Sequence, residues 1–163
     1  MYFNQKKTFV LILALLASLR ILASTVSSPD GKIVVKFNLN NAGKPSYSVS
    51  YNHNTVIENS ELGLNTSDEL YASGLKIISE SNKRITDKYR LHSGKQTQLK
   101  AVCNQKEYVL QSAQNSILKI QFRVYNEGVA FRYLMDEGSQ PQTVMQQELT
   151  TFDIPDEAVM WIS

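Results

Sequence analysis

The chain has 163 residues, 42% hydrophobic and 20% charged, which suits one globular domain and excludes a collagen-like rod or a disordered tail. Seventeen basic against fifteen acidic side chains give +2, but Lys6, Lys7 and Arg20 lie in a segment that reads as removable, and without it the balance is 14 to 15, or −1. Over that remainder charges of the two signs nearly cancel, so no nucleic-acid partner is expected.

Residues 1–23 have the layout of an export signal: Lys6-Lys7, the apolar run Phe9 to Leu19, then small residues at Ala23 and Ser24. That eleven-residue run would make a helix of roughly 16 Å against a hydrocarbon core of about 30 Å, so no stable membrane span is expected. Arg20 interrupts the pattern, and an uncleaved anchor with a snorkelling Arg is the alternative. No Cys stands near the cleavage point to carry a lipid. The expected location is periplasmic or extracellular, with residues 24–163 as the mature domain.

Behind the turn cluster Ser28-Pro29-Asp30-Gly31, residues Ile33, Val35, Phe37 and Leu39 alternate with mostly polar neighbours. A period of two predicts a half-buried strand. Asn40-Asn41-Ala42-Gly43 closes it, and Tyr47, Val49 and Tyr51 form the second arm of a hairpin. Asn52-His53-Asn54 supplies a turn, Thr55 to Glu58 a short strand and Leu62-Gly63-Leu64 a tight apolar corner. From Leu75 to Leu91 apolar residues mix with charges at no clean period, which predicts irregular strands with an excursion loop and a turn at Ser93-Gly94-Lys95. Leu99 to Cys103 and Tyr108 to Gln111 read as an antiparallel pair around Asn104-Gln105-Lys106.

The clearest pattern runs from Ile117 to Tyr133. Leu118, Ile120, Phe122 and Val124 share one face, and Val129, Phe131 and Tyr133 follow a turn at Asn126-Glu127-Gly128 whose Gly is free to take positive φ. If residue numbers of facing pairs sum to 253, Val124 meets Val129, Phe122 meets Phe131 and Ile120 meets Tyr133 on one buried face. A bulge at Gly128 would shift this by one. Helical spacing is weak and confined to Pro155 to Ala158.

Many short alternating segments separated by turn residues predict an all-β, antiparallel β-sandwich with little helix. The apolar run Ala158-Val159-Met160-Trp161-Ile162 comes almost at the end, which leads us to expect a C-terminal continuation. Cys103 is the sole cysteine, which excludes an internal disulfide, and its alternating setting makes it a small buried hydrophobe.

Glycoside chemistry needs two carboxylates about 5 to 9.5 Å apart. Glu58, Glu61, Glu107, Glu127, Glu148 and Asp153 lie near strand ends, but the sequence pairs none of them, and a solvated acid is the ordinary reading. His53 and His92 sit among turn residues without a second donor at ligand spacing, so no metal site is expected here. No nucleophile elbow and no phosphate-binding glycine loop occurs. Asn65-Thr66-Ser67 matches a glycosylation acceptor by letter only. Tyr51, Tyr71, Tyr89 and Tyr108 could stack on sugar rings, although tyrosines at alternating strand positions are more often core.

Taken in order, Ser28-Pro29-Asp30-Gly31, Pro45-Ser46-Tyr47-Ser48-Val49, Leu62-Gly63-Leu64 and the block Phe122 to Tyr133 (FRVYNEGVAFRY) resemble the N-terminal domain of glycoside hydrolase family 97. Tyr89 with Gly94-Lys95, Glu148 through Pro155, and Trp161 add to the likeness. The resemblance implies a mutarotase-like β-sandwich preceding a (β/α)₈ barrel that cleaves α-glucosides or α-galactosides, often with calcium. It also implies that catalytic residues and most calcium ligands belong to that barrel, so none is assigned to this chain and its carbohydrate-binding residues stay unknown. The barrel and an oligosaccharide are the implied partners, and a stand-alone carbohydrate-binding or docking module is the alternative.

Overall fold

A computed structural model describes residues 24–90, 98–135 and 143–158. The export-signal reading of residues 1–23, the Ser93-Gly94-Lys95 turn, His92 and the apolar run from Val159 lie outside the described residues.

Every regular element among them is a strand. In chain order these are β1 (Ser24–Ser27), β2 (Ile33–Leu39), β3 (Pro45–Tyr51), β4 (Asn54–Glu61), β5 (Leu64–Thr66), β6 (Leu70–Tyr71), β7 (Lys76–Arg90), β8 (Gln98–Gln111), β9 (Ile117–Tyr125), β10 (Val129–Met135) and β11 (Met145–Glu148). All pairings are antiparallel. They build one sheet in the order β1-β2-β3-β4, a second in the order β10-β9-β8-β7, and a small third in the order β11-β5-β6.

The two large sheets stack face to face, because alternate residues of each are apolar and only a second apolar layer removes them from water. Val35, Phe37, Tyr47 and Val49 from the first meet Tyr108, Leu110, Leu118, Ile120, Phe122 and Val124 from the second, with Leu62, Leu64 and Leu75 filling one end. The rings interlock: Phe37 stacks on Tyr108 at 4.1 Å and Phe122 lies edge-on to Tyr108 at 6.3 Å. Each such fully buried side chain contributes about 1.5–3 kcal/mol of transfer free energy. The expected antiparallel sandwich is therefore the observed one.

The β9–β10 register agrees with the facing-pair expectation: Val124↔Val129, Phe122↔Phe131 and Ile120↔Tyr133, with no bulge. Two details differ. Val129, Phe131 and Tyr133 are only partly buried, since β10 is the edge strand. Gly128 is not in the left-handed region either; the tip closes through Tyr125 N–H donating to Gly128 O at 2.8 Å, with no positive φ at Asn126 or Glu127. The β3–β4 tip does use that region, at Asn52 (φ 47°) and His53 (φ 68°). Gly43 is needed where two turns touch: its φ is +68°, and an added Cβ would stand 2.4 Å from Leu75 N.

Two expectations in the middle of the chain are overturned. β7 is one long strand of 15 residues, bulged once between Ile77 and Ser79, instead of irregular pieces around a loop. β8 is likewise one strand of 14 residues, with no turn at Asn104-Gln105-Lys106. Asn104 and Lys106 look like turn residues but point inward and are satisfied there: Asn104 Nδ2 donates to Ser27 O at 2.8 Å and Lys106 Nζ meets Glu80 Oε2 at 3.0 Å. The Thr55 to Glu58 strand is also longer than expected. The helical hint at Pro155 to Ala158 is a single turn, Ala158 N–H to Pro155 O at 2.9 Å.

Candidate functional site

The edge between β4 and β10 is where a sandwich of this kind is left open, and residues 149–153 run along it. Leu149 N–H donates to Gly63 O (2.9 Å), Thr151 N–H to Glu61 O (3.0 Å) and Glu58 N–H to Asp153 O (2.7 Å), so the segment lies antiparallel to β4. Side chains reinforce it: Glu61 N–H donates to Thr151 Oγ1 at 2.8 Å and Asp153 N–H to Ser60 Oγ at 2.8 Å.

Two tyrosines clamp this strap, one from each sheet. Tyr47 OH donates to Thr151 O at 3.2 Å. Tyr133 OH accepts from Gly63 N–H at 3.0 Å and shares a hydrogen bond of 2.7 Å with Thr150 Oγ1. Burial pushes the Tyr47 phenol up to about 12, helped by the neighbouring Tyr133 and opposed by Ser60. Burial likewise raises Tyr133, against hydrogen bonds from Thr150 and Gly63 that lower it.

The strap also delivers Phe152. Its ring is edge-on to Tyr47 at 6.4 Å and tilted against Phe131 at 6.4 Å, yet it remains 60% exposed. Phe131 in turn reaches Phe122 and Tyr133, each at 5.8 Å, so an aromatic row leads from the core to the surface. An exposed Phe on such a row is a point of attachment for a second body.

The outer face of the second sheet is different in kind. Arg132 Nε donates to Gln121 Oε1 (2.9 Å) and Gln121 Nε2 to Glu107 Oε2 (2.8 Å). Beside that row, Arg123 Nε donates to Gln105 Oε1 (2.9 Å) and its Nη1 lies 3.4 Å from Asp87 Oδ2. Gln121 is only 5% exposed although it faces outward, because its neighbours close over it. A shallow depression of about 190 Å³ opens here between Arg123, Tyr125, Ala130 and Arg132. Planar amide and guanidinium groups beside a phenol suit the hydroxyls of a sugar.

Most residues singled out from the sequence disperse. Tyr71 and Tyr108 are buried in the core and are withdrawn as sugar-stacking candidates; Tyr51 is exposed at the β3–β4 tip, and the side chain of Tyr89 lies outside the described residues. Glu58, Glu61, Glu148 and Asp153 gather along the strap and the strands it follows, whereas Glu107 sits in the outer polar row and Glu127 at a hairpin tip. His53 is an exposed turn residue, and Cys103 is a buried free thiol, as expected. Among the described residues no group of three or more His, Cys, Asp or Glu is arranged to hold a metal ion. Sequence reasoning missed the strap clamp. It missed the outer polar row as well, although the facing-pair arithmetic already puts Gln121 opposite Arg132.

A family model described as Glycosyl-hydrolase 97 N-terminal matches residues 26–163. A probable retaining alpha-galactosidase of Streptomyces bingchenggensis (strain BCW-1) is 26% identical over 141 residues, which cover 85% of this chain and 22% of that protein. Among solved structures, a glycoside hydrolase family 97 enzyme from Pseudoalteromonas sp. strain K8 in complex with acarbose superposes with a TM-score of 0.73 at 25% identity, covering 82% of this chain and 20% of that one. A beta-arabinopyranosidase superposes with a TM-score of 0.76 at 31% identity, over 82% and 21% of the two chains. The chain thus spans about a fifth of the length of these relatives.

Proposed function

The chain belongs to the family of glycosyl-hydrolase 97 N-terminal domains, and from that premise we propose that it is the non-catalytic β-sandwich of an exported α-glycoside hydrolase, packing on a catalytic (β/α)₈ barrel and helping to shape the carbohydrate cleft. The observation that carries this reading is the Phe152 edge: an aromatic row rising from the core to an exposed ring, held in place by a strap that both sheets clamp. Export rests on Lys6-Lys7 and the apolar run behind them. Catalysis and calcium belong, in this reading, to the remainder of the enzyme.

The test is reconstitution. The mature chain, residues 24–163, is mixed with a separately expressed barrel of a family 97 enzyme, and complex formation is followed by analytical ultracentrifugation. We expect a 1:1 complex that Phe152→Ala weakens at least tenfold, and no turnover of an aryl α-glucoside or α-galactoside by the chain alone. Turnover by the chain alone, or an unchanged complex with Phe152→Ala, overturns the reading. The outer polar row supports a second reading, a stand-alone carbohydrate-binding module; oligosaccharide binding lost on Arg132→Ala, without any barrel complex, would favour it.

A further inference from the structure

β7 and β8 pair well beyond the sheet they belong to. The last β8–β9 pair is Cys103↔Tyr125, but the β7–β8 ladder continues through five more pairs, from Thr86↔Val102 to Arg90↔Gln98. At about 3.4 Å per residue this is a two-stranded ribbon projecting some 15 Å or more past β9. Among the described residues no third strand and no second layer stabilises this ribbon.

Its charge is one-sided. Between residues 83 and 100 the sequence places Lys83, Arg84, Lys88, Arg90, Lys95 and Lys100 against Asp87 alone, and Asp87 is engaged by Arg123. Lys88 stands directly opposite Lys100, both exposed. Like charges in facing positions destabilise a ladder. Arg84 lies four residues before Lys88 and so on the same face, opposite Asn104. Among the described residues no acidic side chain pairs with Lys83, Arg84, Lys88 or Lys100.

This cationic face continues the inner face of the sheet after it has left the core. Asn104 points from it to Ser27 O, and at the base of the ribbon a depression of about 320 Å³ is lined by Thr25, Ser27, Asn82, Lys83, Arg84 and Asn104 among others. Cations in a line, with amide and hydroxyl groups at one end, complement a chain bearing regular negative charges and hydroxyls. A protein partner fits less well, because the cores of protein interfaces are depleted in Lys. The rest of the mature chain is net acidic, which confines any polyanion to the ribbon.

We propose that the inner face of the projecting β7–β8 ribbon, with Arg84, Lys88 and Lys100 as its contacts, binds an anionic polysaccharide of the polyuronate class. The proposal is independent of the barrel-packing reading.

The mature chain is titrated by calorimetry with polygalacturonate, with neutral dextran and with duplex DNA at equal charge concentration, at 50 and 200 mM salt. We expect binding to polygalacturonate that weakens several-fold between the two salts, and none to dextran. Lys100→Glu should weaken it about tenfold while leaving the melting temperature equal or higher, since an opposite-charge pair replaces a like-charge one. Lys88→Gln/Lys100→Gln gives the same loss by charge removal alone. Equal binding of dextran, or no effect of either variant, overturns the proposal. Tighter binding of DNA than of polygalacturonate assigns the face to a nucleic acid instead. No polyuronate binding, with low-salt dimerisation abolished by Lys100→Glu, assigns it to the acidic surface of a second copy.

Discussion

The β9–β10 hairpin and the β7–β8 ribbon are both antiparallel pairs of one sheet, and they hold together for opposite reasons. In the hairpin one face is pressed against a second layer, so Ile120, Phe122 and Val124 are fully buried and a register slip would turn them out to water. In the ribbon the outer pairs have no second layer among the described residues, and Thr86, Lys88 and Lys100 are exposed. Among the described residues, the backbone ladder and the Arg123–Asp87 ion pair at its base carry the structure there. Pairing in a sheet can thus be inherited from a neighbouring core by continuity, without burial of its own.

The comparison is broken most forcefully at the core end. Phe122→Ala removes a fully buried ring that touches Phe37, Tyr47, Tyr108 and Phe131, and should cost about 3–5 kcal/mol in a urea titration. A comparable truncation in the ribbon, Thr86→Ala, should stay within about 0.5 kcal/mol. Equal losses at the two positions would mean that the ribbon is packed after all.

Alkali provides a second test. The Tyr47, Tyr71, Tyr108 and Tyr133 phenols are all raised, each chiefly by burial. The unfolded chain therefore releases these protons first, so stability is full below about pH 10 and falls as pH rises through the Tyr47 value of about 12. Circular dichroism of equilibrated samples should show the sandwich melting in that window, and flat stability up to pH 12 would contradict the burial of Tyr47.

A smaller effect is expected at the strap. Tyr133→Phe leaves Gly63 N–H and Thr150 Oγ1 without their shared partner, at about 1–3 kcal/mol. Hydrogen exchange should report faster opening of residues 149–153 while the β9 amides stay protected. The smallest effect belongs to Lys100→Glu, a gain of about 0.2–1 kcal/mol from reversing one charge of a like-charge pair, read as a shift of the urea midpoint.

The fold was legible wherever one face of a strand is buried. Alternation at Ile33, Val35 and Phe37 and the facing pairs from Ile120 to Tyr133 are consequences of a period of two meeting a single core. It failed at β7 and β8 because the polar residues that looked like turn formers find partners in the folded sheets, Asn104 on β1 of the other sheet and Lys106 on the neighbouring strand β7. Local sequence carries no mark of a partner some 77 residues away, as Ser27 is from Asn104. The candidate edge was legible only in part: Glu148 through Pro155 carried some of the family likeness, but nothing marked the two tyrosines that would clamp the strap.

The amino-acid order by itself determined that this is an all-β sandwich, how the β9–β10 hairpin pairs and that the thiol of Cys103 is buried, since these follow from alternation and the need to remove every second side chain from water. Tertiary structure alone decided which polar residues are structural, where the sandwich is strapped and where the sheet outruns its core. Those outcomes depend on hydrogen bonds and charges meeting across long stretches of chain. Only the folded backbone brings such groups within reach of one another.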